Sequence, residues 1–510
     1  MGLNAVRHRP QPAYAACLSA EFGEHPVVAE TIQQAYAALR AQPFFNGLLP
    51  HLLTVAGFLL AFFAIARLMS ERKQPGNTFA WLLAIAFIPY LGVPLFLMLG
   101  GRKVRKLAVR KARLAPSRPN HPVTAAAQTF AAKVLMLNGA APPVGGNRVQ
   151  FLSSGEAAFA ELERGIREAK HTIHLMTFIL GRDAVGCRII KLLAERAQDG
   201  VKVRLLLDSL GCFTTSGRFC DPLRAAGGEV VTFMPVIPLA TRGSANLRNH
   251  RKIAIFDHRV GALGGRNLAA EYMGPTPLKR RWRDFGAVIE GPAVQLLNEI
   301  FLADWAFASG QPLDRLQQAL PPTDFAAAGE SEIQIVASGP DVAGDPLYEG
   351  ILSLVQQAER SIWIVTPYFI PDEVLFRSLL VQARAGIDVR LAVPARSNHP
   401  ITDLARRHYL RELHAAGVKI SLYQPGMCHA KILLVDEATG LFGSANMDMR
   451  SLFVNFEIGA VTYSPTAAAA LAHEIQEILA ASKPMPEPRH ERRLMPKIGE
   501  EIARLLAPLL

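Results

Sequence analysis

One pattern occurs twice in this chain at the same internal spacing. His250-Arg251-Lys252-Ile253-Ala254-Ile255-Phe256-Asp257 is followed, six residues later, by Gly264-Gly265-Arg266-Asn267. His429-Ala430-Lys431-Ile432-Leu433-Leu434-Val435-Asp436 is followed, again six residues later, by Gly443-Ser444-Ala445-Asn446. The flanks repeat as well: Ala169–Thr177 matches Ala358–Thr366, Gly200–Leu205 matches Gly386–Leu391, and Ala225–Gly227 matches Ala415–Gly417. A period of roughly 190 residues is too long for a solenoid unit, so the chain is read as carrying a duplicated domain. Each half alternates helices with short apolar strands, which predicts an α/β sheet with buried strands in each. The halves diverge most at Val236–Asn249, an insert expected to form part of a pocket wall beside the first motif.

The repeated motif carries chemistry. In His-x-Lys on a strand, alternation places both side chains on one face. The apolar run that follows buries the strand, and the aspartate ends it at a turn. The glycines let backbone approach a small anion, and Asn267 and Asn446 add amide donors. Two such faces brought together surround one point with two imidazoles, two ammonium groups and two amides, which suits a phosphodiester. One histidine attacks phosphorus, the other protonates the leaving oxygen, and Lys252, Lys431, Asn267, Asn446 and Ser444 hold the phosphate oxygens. The lysines supply the positive charge, so no metal and no cofactor is expected. Cys428 faces away from its neighbour His429 and reads as a buried small residue.

With these motifs the sequence resembles the phospholipase D superfamily, over about Phe151 to Glu477. An N-terminal apolar pair ending in a basic collar is similar to bacterial cardiolipin synthases of that superfamily. So are Asn77–Leu83 with Pro89–Gly92, and Asn446–Ser451 with Asn455–Glu457. The resemblance implies duplicated α/β sandwich domains forming one active site. It also implies phosphatidyl transfer between two phosphatidylglycerols through a phosphohistidine, with release of glycerol. It places His250, Lys252, Asp257, His429, Lys431 and Asp436 in the catalytic set, although the residues themselves make Asp257 and Asp436 turn-fixing groups. Asp284 and Glu457 match the carboxylates that orient the histidines, and which serves which is open. For Asp284 the alternative is a surface ion pair with its arginine neighbours. His250 is assigned as nucleophile and His429 as general acid, then base, on the family's pattern. Where the second copy has Ser444 the first has Gly265, so the first half lacks a hydroxyl.

The remaining expectations concern the membrane. Of 510 residues, 50% are hydrophobic and 19% charged, which excludes a disordered or fibrous chain. Two apolar runs, uncharged over 47–66 and 77–101, predict a two-helix transmembrane hairpin over 48–101 with spans 48–68 and 78–99, kinked in its second run by Pro89 and Pro94, a re-entrant shape being the less favoured alternative. Arg102–Arg118 holds eight basic residues and no acid, which places the following domains on the cytoplasmic side of a bacterial inner membrane. Those eight account for most of the net charge of +12, leaving +4 elsewhere. The basicity therefore points to anionic phospholipid at the headgroups and not to nucleic acid. Five cysteines without a CxxC pair exclude a disulfide framework. The domain reading is a prefix 1–47, the hairpin, a basic linker 102–147, domains 148–325 and 326–483, and an amphipathic tail 484–510 docked on the catalytic domain, membrane contact being the less favoured alternative. The sequence leaves oligomeric state open. Competing functions are a phospholipase D using water, a membrane-tethered nuclease and a non-catalytic scaffold.

Overall fold

The computed structural model describes residues 49–70, 75–88, 90, 92–93, 96, 124–234, 247–318, 326–342, 344–486 and 500. The prefix, the collar, most of the insert (235–246) and the tail other than 484–486 and Glu500 lie outside the described residues. The chain divides into two compact units, 1–100 and 101–510.

In the second unit the repeat is visible strand by strand. The first half supplies β1 (Val144–Leu152), β2 (Thr172–Thr177), β3 (Lys202–Asp208), β4 (Glu229–Phe233), β5 (Ile253–Phe256), β6 (Val260–Gly264) and β7 (Gly286–Glu290). The second half repeats these seven as β8 (Ser331–Ser338), β9 (Ser361–Val365), β11 (Asp388–Pro394), β12 (Lys419–Tyr423), β13 (Ile432–Val435), β14 (Thr439–Gly443) and β16 (Glu457–Thr462), in the same order. It adds β10 (Phe369–Ile370), β15 (Met447–Asp448) and an edge strand, β17 (Ser482–Pro484). The sheet order is β17-β12-β11-β9-β13-β14-β16-β8-β1-β7-β6-β5-β2-β3-β4, so the two half-sheets are mirrored about the β8–β1 junction. Parallel pairs β2–β3–β4 and β9–β11–β12 need the crossover helices that the helix–strand alternation predicted.

Apolar runs such as IAIF and ILLV are buried along their whole length because both sheet faces are covered. A central core joins the halves through Phe285, Trp305, Ile432 and Phe442, with Phe151 packed edge-on against Phe442. Separate outer cores lie under the helices Gly155–Glu168 and Ala184–Gln198 in the first half, and under Pro346–Gln356 and Glu373–Arg384 in the second. The helix Phe130–Leu137 falls within the expected linker, yet it packs Ala131 and Leu135 into the second half's core. Of the tail, Glu500 pairs with Arg411 at 2.7 Å, consistent with docking on the second domain.

In the first unit, the described helices run Leu49–Ser70 and Pro75–Phe87. Among the described residues no helix is long and apolar enough to cross a membrane. The second apolar run is not a kinked span. The Trp81 and Phe96 rings lie 5.6 Å apart, edge to face, although 15 residues separate them. A straight helix would hold them roughly 22 Å apart. Gly92 sits so close to the Ala84 carbonyl that no Cβ would fit, so the residues after Ala84 fold back on it.

Candidate active site

The two histidines stand on paired edges that explain their partners. The strand segment before the first motif pairs with the second half: His250 N–H donates to the Phe456 carbonyl at 2.9 Å, and Phe456 N–H to the Arg248 carbonyl at 2.9 Å. The segment before the second motif pairs with the first half in the same way. Arg283 N–H donates to the Met427 carbonyl at 2.9 Å, and His429 N–H to the Arg283 carbonyl at 2.6 Å. Each histidine is thereby placed beside the residue following its partner segment, Glu457 for His250 and Asp284 for His429. The carboxylates are crossed between the halves.

His250 Nδ1 lies 3.0 and 3.1 Å from the two Glu457 oxygens, and His429 Nδ1 lies 2.6 Å from Asp284 Oδ2. An ionised carboxylate only accepts, so each Nδ1 carries the proton and each Nε2 is left with its lone pair. Asp284 is fully buried, and its neighbours Arg281 and Arg283 pair instead with Glu156 and with Glu474 and Glu477. The surface ion-pair reading of Asp284 is therefore excluded. Both lysines point with their histidines. Lys252 Nζ donates to the His250 carbonyl at 2.6 Å, and Lys431 Nζ donates to the His429 carbonyl and stands against the His429 ring.

Burial governs the ionisation. It pushes Lys252 down to about 7 and Lys431 to about 8, with Glu457 and Asp284 opposing. Burial and the Lys431 charge push His429 down to about 3, against the pull of Asp284. His250 is lowered by burial, opposed by Glu457. Glu457 and Asp284 lie below their usual range: the cations around them outweigh the burial that would raise them. Before substrate binds, and just below pH 7, the site thus holds two ammonium groups, two carboxylates and two neutral imidazoles, and Lys252 loses its charge first as the pH rises.

Two assignments change. Ser444 is fully buried, and its hydroxyl donates to Glu457, while Ile458 N–H donates to it at 3.0 Å. It therefore holds the carboxylate and not the phosphate. At the matching Gly265 a Cβ would overlap the Asp284 carboxylate, so glycine there makes room for the shorter acid's approach. Asp257 and Asp436 sit at the far ends of their strands, about 20 Å along the chain from the histidines. Asp257 accepts the N–H groups of Lys170, His171 and Thr172 at 2.7, 2.7 and 2.8 Å. Asp436 accepts those of Glu359, Arg360 and Ser361 at 3.0, 2.7 and 2.8 Å. Both have positive φ, 49° and 54°. They fasten turns and take no part in proton transfer.

Asn267 is anchored, its Oδ1 accepting Ile179 N–H at 3.1 Å, and Asn446 Nδ2 donates to Ser451 at 3.2 Å. The buried Asn446 Oδ1 has no partner among the described residues. Aromatic rings line the site: Phe178 lies 5.1 Å from His250, and Tyr272 and Trp282 lie 5.3 and 5.4 Å from His429. Tyr368 also reaches this side, 6.3 Å from His429, whereas Phe369 is core. Cys428 is buried, its thiol pushed up to about 12, as expected of a packing residue. Sequence reasoning missed Arg251. Its guanidinium grips both Asp304 oxygens at 2.8 Å and donates to the Glu457 carbonyl at 3.0 Å, fixing the strand that carries the carboxylate. The second copy has Ala430 there, so the repeat gave no signal. Leu247, Arg248 and Asn249, at the end of the insert, are buried directly before His250. No group of three His, Cys, Asp or Glu among the described residues is arranged to hold a metal.

Comparison with known proteins agrees with this geometry. The family model described as cardiolipin synthase, phospholipase D-like domain matches residues 162–305 and 351–479. A second, described as phospholipase D-nuclease N-terminal, matches residues 59–101. A cardiolipin synthase of Geobacillus kaustophilus is 34% identical over 500 residues, covering 92% of this chain and 95% of that protein. Cardiolipin synthase 1 of Bacillus cereus is 35% identical over 466 residues, covering 86% and 90%. Among solved structures, phosphatidylserine synthase of Haemophilus influenzae aligns with a TM-score of 0.57 at 16% identity. That alignment covers 75% of this chain and 98% of that one, a likeness of fold.

Proposed function

This chain belongs to the cardiolipin synthases with phospholipase D-like domains and is a cardiolipin-forming phosphatidyltransferase, and we propose that its two crossed histidine–carboxylate pairs carry the transfer. Phosphatidylglycerol binds with its phosphate between Lys252 and Lys431, supported by the amides of Asn267 and Asn446. His250, its Nδ1–H held by Glu457, attacks phosphorus through Nε2. His429, which takes up a proton at Nε2 when the anionic phosphate binds, gives it to the departing glycerol, and a phosphatidyl–His250 intermediate forms. A second phosphatidylglycerol then loses its hydroxyl proton to His429, attacks phosphorus and releases cardiolipin.

The observation that carries this reading is the exchange of carboxylates between halves. It holds both imidazoles by Nδ1, so that neither Nε2 is bound to a carboxylate, and Nε2 of His429 has Lys431 Nζ 3.1 Å away. The aromatic walls around both histidines favour a lipid alcohol over water as acceptor, by keeping the site dry. The first unit is proposed to seat in the inner membrane, with the catalytic unit on the cytoplasmic side marked by the basic collar. Phe58, Leu59, Phe62 and Phe63 of its first helix are 62–73% exposed, an apolar face that lipid would cover.

Incubating the full-length protein with phosphatidylglycerol labelled in its headgroup tests the reaction. Cardiolipin and free labelled glycerol in equal amounts are expected, whereas phosphatidic acid as the main lipid product would make water the acceptor. Rapid trapping without acid, followed by peptide mapping, tests the nucleophile. Label is expected on the peptide containing His250, and label only on that containing His429 would reverse the two roles.

A further inference from the structure

The first half contains a cavity of about 480 Å³ between the helix Gly155–Glu168 and its sheet. Its walls include Leu162, Leu175, Ala254, Phe256, Ala262 and Val288. One end is lined by Thr177 and Lys252, so it borders the phosphate site: Thr177 touches Asn267 at 3.5 Å. The other end carries charged residues, among them Arg164, Glu168 and Arg259.

The duplication supplies an internal control for this space. At the positions matching Ala158, Gly165, Ala254 and Ala262, the second half has Leu347, Leu354, Leu433 and Leu441. All four leucines are buried in one core cluster. The exchange runs the other way at Glu161, Arg164, Met176, Phe256 and Arg266, where the second half has Gly350, Ser353, Val365, Val435 and Ala445, and the Phe256 ring lies over Gly165. The second half thus fills with leucine the four positions at which the first half has alanine or glycine, and the first half keeps its larger and charged residues at other positions of the lining. An apolar cavity of ~150 Å³ takes one benzene, so 480 Å³ has room for an aliphatic chain on the order of fifteen to twenty carbons. The cavity also holds one unmet donor. Arg266 lines it, is 7% exposed, and its Nε–H has no acceptor among the described residues.

Resting on the transferase reading above, we propose that this cavity holds one acyl chain of the phospholipid whose phosphate lies between the two histidines, with the ester carbonyl on Arg266. The chain leaves the phosphate site past Lys252 and Thr177 and runs under the helix toward Arg259. Binding one substrate tail in the first half alone would distinguish the two phosphatidylglycerols, which are chemically identical but play different parts.

The test uses the full-length protein in mixed micelles with phosphatidylglycerol bearing a diazirine at the end of one acyl chain. Photolysis is expected to label the helix Gly155–Glu168 or the turn around Arg259. Ala254→Leu/Ala262→Leu, which installs the second half's own residues, should reduce that label at least tenfold. It should also lower kcat/KM for dipalmitoyl relative to dihexanoyl phosphatidylglycerol at least fivefold. Cardiolipin formation with no label on this helix or turn overturns the proposal while leaving the transferase reading intact. Label there without any cardiolipin formation supports the cavity and removes the transferase reading. Displacement of the label by palmitate without slower turnover would make the occupant a free fatty acid and overturn the assignment. The wild-type labelling pattern decides even if the double variant does not fold.

Discussion

At the scale of single residues, the site is balanced before substrate arrives and unbalanced after. Two lysines face two carboxylates, so a phosphodiester brings one excess negative charge. That charge raises the proton affinity of His429, whose low value in the empty site comes from burial and Lys431. The general acid is therefore armed by the substrate. This fixes the sign of the pH dependence. Lys252 and Lys431 are charged below about 7 and about 8, and lose charge as pH rises through those values. Since kcat/KM reports the free enzyme, its alkaline limb should fall near pH 7–8, while that of kcat should lie higher because bound phosphate holds the lysines protonated. A kcat/KM profile flat to pH 9 would show that the lysine charges do not matter. The crossed pairing gives a second expectation. Glu457→Gln and Asp284→Asn should each lower kcat by roughly 10²–10⁴, with smaller changes in KM, because each orients an imidazole. Quench experiments should separate them. Glu457→Gln slows formation of the phosphohistidine through His250, and Asp284→Asn slows the proton transfers of His429. Identical effects on both steps would argue against divided roles.

At the scale of elements, the motif aspartates show how a catalytic signature can include a purely structural member. Each accepts three backbone N–H groups at the start of β2 or β9 from a hairpin turn held at positive φ. Asp257→Ala should destabilise the protein by about 1 kcal/mol, since three backbone N–H groups, two of them exposed and one part-buried, lose their acceptor. Its kcat at 25 °C should stay within twofold of wild type. Calorimetry with assays below the transition distinguishes this from a catalytic role, which would remove activity in the folded state. The alternation of helices with buried strands in each half and the shared face of His and Lys were legible in the sequence because they follow from local periodicity seen twice. The carboxylate crossing was not, since it depends on backbone pairing between His250 and Phe456, positions more than 200 residues apart. Nor was the role of Ser444, for a hydroxyl beside a glycine reads equally as a donor to phosphate or to a neighbouring acid. His174 and His258 have the right chemistry by type, yet both bond to Asn298 inside the core. The reversal of the second apolar run was the less favoured of the two shapes that Pro89 and Pro94 allowed. Hydropathy measures the length of a run and not its direction, and the Trp81–Phe96 contact and the approach of Gly92 to Ala84 reveal the turn.

At the scale of the whole molecule, charge is segregated along the chain. Eight basic residues fall within Arg102–Arg118, and the remaining 493 residues carry a net charge of only +4. The collar lies outside the described residues, but its effect follows from its composition. Each Lys or Arg near an anionic surface is worth ~1 kcal/mol, and that attraction decays within a Debye length, about 10 Å at 0.1 M salt. The collar therefore concentrates anionic lipid around the catalytic unit, and the substrate is itself anionic lipid. Its benefit should be largest where phosphatidylglycerol is scarce in the surface and vanish where it is abundant. In vesicles of low phosphatidylglycerol content, Arg102→Gln/Lys103→Gln/Arg105→Gln/Lys106→Gln should lower turnover several-fold, while in pure phosphatidylglycerol it should match wild type. Salt should mimic the variant. Raising ionic strength from about 0.05 to 0.5 M should slow the wild type on dilute surfaces and leave the variant nearly unaffected, because the variant has already lost the screened interaction. Equal salt sensitivity in the two proteins would place the electrostatic attraction elsewhere, in Lys252 and Lys431 themselves. A second readout separates those cases: the lysine pair acts on bound substrate at any surface density, so its loss would persist in pure phosphatidylglycerol, whereas the collar's would not.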